Sequence, residues 1–77
     1  MKVFLKNMEL RGIEQKEYKS GLYHLYNLED QNGNHIGILT KNLNLINGKN
    51  KGEKFEIECE YNSQYGRMQI IDMQKLK

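Results

Sequence analysis

Between Gly52 and Asn62 the chain reads Lys54-Phe55-Glu56-Ile57-Glu58-Cys59-Glu60-Tyr61, and apolar and acidic side chains alternate without interruption. A period of two is the signature of a strand with one buried and one solvated face. Phe55, Ile57, Cys59 and Tyr61 therefore belong to a core, and Glu56, Glu58 and Glu60 to solvent. Downstream, Asn62-Ser63-Gln64-Tyr65-Gly66 reads as a hairpin loop, with Gly66 free to take a positive φ. The return strand, Arg67 to about Met73, has Met68 and Ile70 on one parity and Ile71 and Met73 on the other. That break predicts a bulge or burial on both faces.

The remaining punctuation upstream also predicts strands. Gly21 to Glu29 carries apolar residues on both parities and ends in Asp30-Gln31-Asn32-Gly33-Asn34, where Asn32-Gly33 is a strong hairpin signal. His35 to Thr40 is its partner strand. Val3 to about Glu14 is long enough for an extended, bent first strand. Met8 and Leu10 share a parity that Ile13 breaks, with Gly12 as the expected bend or bulge. The one helical expectation is Lys41 to Ile46, one or two turns closed by Asn47-Gly48. A long bent strand, a hairpin, a short helix and a second hairpin give an all-β, five-stranded, OB-fold-like Greek-key barrel. An SH3-like barrel is the alternative.

Composition supports a single domain over residues 1–77 and narrows the function classes. The 77 residues contain no proline, tryptophan or alanine, and 29% are charged. The longest apolar run is Val3 to Leu5, too short for a membrane span or the core of a signal peptide. One cysteine makes neither an internal disulfide nor a zinc site, so a reducing cytoplasm is expected. The net charge of +2 is modest, but it is unevenly distributed. Lys41, Lys49, Lys51 and Lys54 precede the acidic run at Glu56, Glu58 and Glu60, which predicts a basic side and an acidic side.

Two segments carry a family resemblance. Gly21-Leu22-Tyr23-His24-Leu25-Tyr26-Asn27-Leu28-Glu29-Asp30-Gln31-Asn32-Gly33 resembles the second strand and acidic-glycine turn of many OB domains. Lys51-Gly52-Glu53-Lys54-Phe55-Glu56-Ile57 resembles their entry into the fourth strand. The chain thus resembles the small OB-fold single-stranded DNA-binding proteins of phages and mobile elements of low-GC bacteria. The resemblance implies DNA replication or recombination as the setting and a replication protein as a partner. The chain departs from the bacterial single-strand-binding pattern in lacking strand tryptophans and an acidic tail with an apolar tip.

Tyrosine interleaved with basic residues is the strongest functional signal. Aromatic faces stack on unpaired bases while Lys and Arg neutralise phosphates. In an OB-fold, the surface of strands 2 and 3 is flanked by the loop between strands 1 and 2 and the loop between strands 4 and 5. The first loop is expected to hold Lys16, Tyr18 and Lys19, and the second to hold Tyr65, with Arg67 just beyond it. Tyr23 on strand 2 and Lys41 after strand 3 complete the candidate set. Tyr26 and Tyr61 read as core; Tyr23 is core or contact according to which parity of strand 2 faces inward.

Other chemistry finds no support in the sequence. Gly48 to Lys54 lacks the spacing and terminal Lys-Ser/Thr pair of a phosphate loop. His24 and His35 have no further ligands for a metal. Cys59 reads as a small buried apolar residue. The expectation is a non-enzymatic binder of single-stranded DNA, or of RNA, without cofactor, metal or membrane, and with a homodimer as a reasonable assembly. The rival is a protein-interaction barrel acting on a host or phage enzyme, with an exposed apolar patch containing Leu25 or Ile71.

Overall fold

Five strands follow one another along the chain in a computed structural model that describes residues 1–41 and 50–76: β1 (Lys2–Tyr18), β2 (Gly21–Glu29), β3 (His35–Thr40), β4 (Lys54–Asn62) and β5 (Arg67–Lys75). They form one sheet in the spatial order β3-β2-β1-β4-β5. Three consecutive hairpin-connected strands with the fourth returning beside the first is a Greek key. The helix expected from Lys41 to Ile46, with its Asn47-Gly48 cap, lies outside the described residues apart from Lys41 itself.

β1 is the spine. Its first half pairs with β4 and its second half with β2, both antiparallel. Two irregularities allow one strand to serve both partners. The first falls between Leu5 and Met8, where Asn7 takes a φ of 54°, a left-handed conformation that asparagine tolerates better than most residues. The second falls between Leu10 and Gly12 and leaves Arg11 as the extra residue, so the predicted bulge at Gly12 is present. These shifts explain the parity breaks, because Val3 and Leu5, then Met8 and Leu10, then Ile13 all reach the same core face. In β5 the register skips Ile71, which reconciles buried Ile70 with buried Met73. A bulge, not burial on both faces, accounts for that break.

The core gathers Met8 and Leu10 of β1, Tyr26 and Leu28 of β2, Ile38 of β3, Phe55, Ile57 and Cys59 of β4, and Ile70 and Met73 of β5. Only a curled sheet lets strands at opposite ends share one core. The radius of gyration, 12.0 Å, is close to the roughly 11.5 Å expected for a domain of this length. Since every ladder is antiparallel, β3 and β5 run in the same direction. They meet where the Thr40 hydroxyl donates to the Ile70 carbonyl at 3.3 Å.

Two boundaries differ from the sequence expectation. β1 continues to Tyr18, so Lys16 and Tyr18 are strand residues and the β1–β2 connection is the tight turn Lys19-Ser20. Pairing extends the ladder through Gln15 and Glu17, polar residues on the core-facing parity; at the rim of the curled sheet that parity is already exposed. β5 likewise runs on to Lys75, whose ammonium pairs with Glu53 before β4.

A candidate nucleic-acid interface

The convex face of β1, β2 and β3 is assembled by register. Opposed residues in an antiparallel ladder share a face. Lys16 opposes Tyr23, Tyr18 opposes Gly21, Leu25 opposes Leu39, and Asn27 opposes Gly37. The other parity of β2 carries Tyr26 and Leu28 into the core, so Tyr23 and Leu25 point outward. The Leu25 side chain lies over Gly37, where an added Cβ would come 3.1 Å from Leu25 Cδ1.

This face forms one wall of a groove of about 570 Å³ lined by Tyr18, Tyr23, Leu25, Leu39, Arg67 and Gln69, among others. The other wall is the start of β5, across the gap between the β3 and β5 edges. A second depression of about 290 Å³ runs along the β4–β5 hairpin and shares Arg67 and Gln69 with the first, adding Tyr65, Asn62 and the acidic Glu60. The two adjoin at Arg67 and Gln69, and together they make a track that reaches from Tyr18 to Tyr65.

Around Tyr23 the aromatic and cationic groups are coupled. The Tyr18 and Tyr23 ring centroids are 5.5 Å apart at an interplanar angle of 74°, an edge-to-face contact. The Lys41 ammonium sits 5.1 Å from the Tyr23 ring centroid and donates to the Ser20 carbonyl at 3.4 Å. Ser20 Oγ and the Tyr23 hydroxyl are 3.0 Å apart. That hydrogen bond, with the charges of Lys41 and Arg67, holds the Tyr23 phenol below its ordinary pKa against the opposing effect of burial.

The sequence-predicted residues are thus placed unequally. Tyr18, Tyr23, Lys41 and Arg67 come together, and Tyr65 stands at the far end of the track, 68% exposed. Lys19 is exposed in the turn between the groove-lining Tyr18 and Ser20. Lys16 lies on the same face but is half-exposed beside Glu14, at 3.8 Å. Tyr23 is only 8% exposed, because neighbours from other segments cover a ring that points outward. Sequence reading missed Gln69 and Leu39, and it offered Leu25 only as part of an apolar patch for a protein partner, not as the floor of this groove. The alternation of Leu25 with Tyr26 held the signal for the floor, since a strand with two apolar parities must cover or expose one of them.

On another side of the molecule, Glu56, Glu58 and Asp72 border a depression of about 160 Å³ beside Phe4, which is 63% exposed. Lys2 pairs with Glu58 at 3.4 Å. Burial and the nearby Glu58 push the Cys59 thiol up to about 11, leaving it protonated and unreactive at neutral pH. No cluster of three His, Cys, Asp or Glu residues able to hold a metal occurs among the described residues, and none of their helices is long and apolar enough to cross a membrane. No family model, curated protein or solved structure matches the chain.

Proposed function

We propose that this protein is an OB-fold-like module that binds unpaired nucleic acid strands, DNA in preference to RNA, along the track from Tyr18 to Tyr65. One observation carries the reading: Tyr18, Tyr23 and Arg67, from separate parts of the chain, line one open groove with an apolar floor, and Lys41 sits against the Tyr23 ring. Bases stack on exposed rings and settle on Leu25 and Leu39, while Lys41, Arg67 and Lys19 neutralise phosphates. A double helix presents no base faces, so the groove favours single strands. The Greek-key order and the parallel approach of β3 to β5 support the OB-like reading. Phage or mobile-element replication in the cytoplasm, a replication-protein partner and a homodimer that lengthens the track belong to the same proposal.

Fluorescence anisotropy with labelled oligo-dT, oligo-rU and duplex across a salt series tests it. Each single-strand phosphate contact contributes about −0.7 to the slope of log affinity against log salt. Three cations predict a slope of roughly −2 for oligo-dT, with weaker binding of duplex. No binding of any oligonucleotide at micromolar protein and low salt overturns the reading.

Exposed Phe4, beside Glu58 on the sheet, favours one second reading, a protein-interaction barrel that docks a partner on this face. That reading predicts salt-insensitive or absent oligonucleotide binding, and it predicts that Phe4→Ala abolishes association with the partner.

A further inference from the structure

Tyr23 is the one ring in the track that cannot serve as a stacking platform. One side of its environment is filled by the Tyr18 ring, whose plane stands at 74° to it, and the Lys41 ammonium lies 5.1 Å from its centroid. A base stacking on Tyr23 would have to displace a cation and a second ring from a side chain already 8% exposed. Tyr18, by contrast, is 49% exposed and lines the groove.

What Tyr23 does offer is a fixed aromatic seat. An ammonium near an aromatic face is attracted by the negative face of the ring, enough to bias a flexible lysine toward one position. The Ser20 carbonyl, 3.4 Å from the ammonium, fixes the same position from the turn. The Ser20 hydroxyl, 3.0 Å from the Tyr23 hydroxyl, ties that turn back to the ring. Ring, turn and lysine form a closed set, and Tyr18, at the other end of the turn, packs edge-to-face with the ring.

We propose that Tyr23 is the positioning residue of the groove: it holds Lys41 at a phosphate-contacting position and props Tyr18 as the base-stacking ring, without touching the nucleic acid itself. The inference rests on the single-strand-binding reading. Lys41 is delivered to a strand already ordered, which reduces the side-chain entropy lost on binding.

Five proteins and two readouts test it: the parent, Tyr23→Phe, Tyr23→Leu, Lys41→Met and the double variant Tyr23→Leu/Lys41→Met, each followed by oligo-dT salt titration and by NMR of the free protein. In the parent, ring current shifts the Lys41 ε-methylene protons upfield. Tyr23→Phe keeps that shift and the parental salt slope, because it keeps the ring. Tyr23→Leu loses the shift, weakens binding several-fold and reduces the slope by about 0.7, the value of one phosphate contact. Lys41→Met reduces the slope equally, and Tyr23→Leu added to it leaves the slope unchanged, as expected for two residues acting as one unit. The proposal is overturned if Tyr23→Leu weakens binding with the parental slope intact, which would make the ring itself a base contact. It is equally overturned if the parent shows no ring-current shift on Lys41, a result that stands even if Tyr23→Leu fails to fold. Failure of the parent to bind any oligonucleotide instead removes the binding reading, while the NMR arm still reports whether Tyr23 seats Lys41.

Discussion

The Tyr26 hydroxyl is buried with no hydrogen-bond partner among the described residues, and burial alone pushes its pKa up to about 12. A buried, unsatisfied hydroxyl costs about 1–3 kcal/mol. Tyr26→Phe should therefore raise stability by about 1 kcal/mol, read as a higher urea midpoint at unchanged m-value; a loss of stability would mean that the hydroxyl is bound. Asp30 is the opposite case, a well-satisfied acid. Its carboxylate accepts from the Asn34 side-chain amide at 3.1 Å, from the Asn34 backbone at 2.8 Å and from the Asn32 backbone at 2.9 Å. Those bonds, the Asn34 side chain first, hold its pKa below the ordinary 3.8. A carboxylate lowered on folding stabilises the fold above its unfolded pKa, and that stability is lost as pH falls through the lowered folded value. Asp30→Asn should reduce stability at neutral pH and flatten its fall at acid pH, as measured by urea titrations between pH 2 and 6. At this scale the sequence was legible for Asn32-Gly33 as the turn, but not for Asp30 as its organiser, since any acid before an Asn-Gly pair reads as solvated.

Strands and turns were the most legible level, because each parity break has a local cause. Arg11 and Ile71 are the residues that the registers skip, and both lie at breaks visible as displaced apolar positions. The bulge near Asn7 was not anticipated, because Leu5 and Met8 differ in parity next to a stretch that reads plausibly as one bent strand. The β4–β5 turn shows how an element sets the site. Gly66 has a φ of 62° and no heavy atom within 4 Å of where a Cβ would sit, so a substitution there meets backbone strain and not a clash. Gly66→Ala should cost about 1 kcal/mol, the left-handed penalty of an L-residue, and Gly66→Asn less. Since Gly66 lines the groove beside Arg67, the alanine variant should also weaken oligonucleotide binding more than its loss of stability explains. Parallel urea and anisotropy titrations of the two variants check both statements.

Over the whole molecule, the grouping of the binding residues depends on contacts no local pattern records. Lys41 and Ser20 are 21 positions apart, and Arg67 enters the groove only because the sheet curls until β5 faces β3. That curvature is also why Tyr23 is covered: outward direction along a strand is legible, while cover from distant segments is not. The groove and the acidic depression share no lining residue. Short-range phosphate contacts fix the salt slope, whereas a remote charge acts through a field that decays over about 8–10 Å at moderate salt. Arg67→Gln should therefore reduce the slope for oligo-dT by about 0.7. Glu56→Lys, a change of two charge units on the outer face of β4, should leave that slope unaltered and speed association modestly at low salt only. Stopped-flow and equilibrium titrations of the two variants separate these effects. A steeper slope in Glu56→Lys would place phosphates over β4, and the strand would then wrap the acidic side instead of following the seam between β3 and β5.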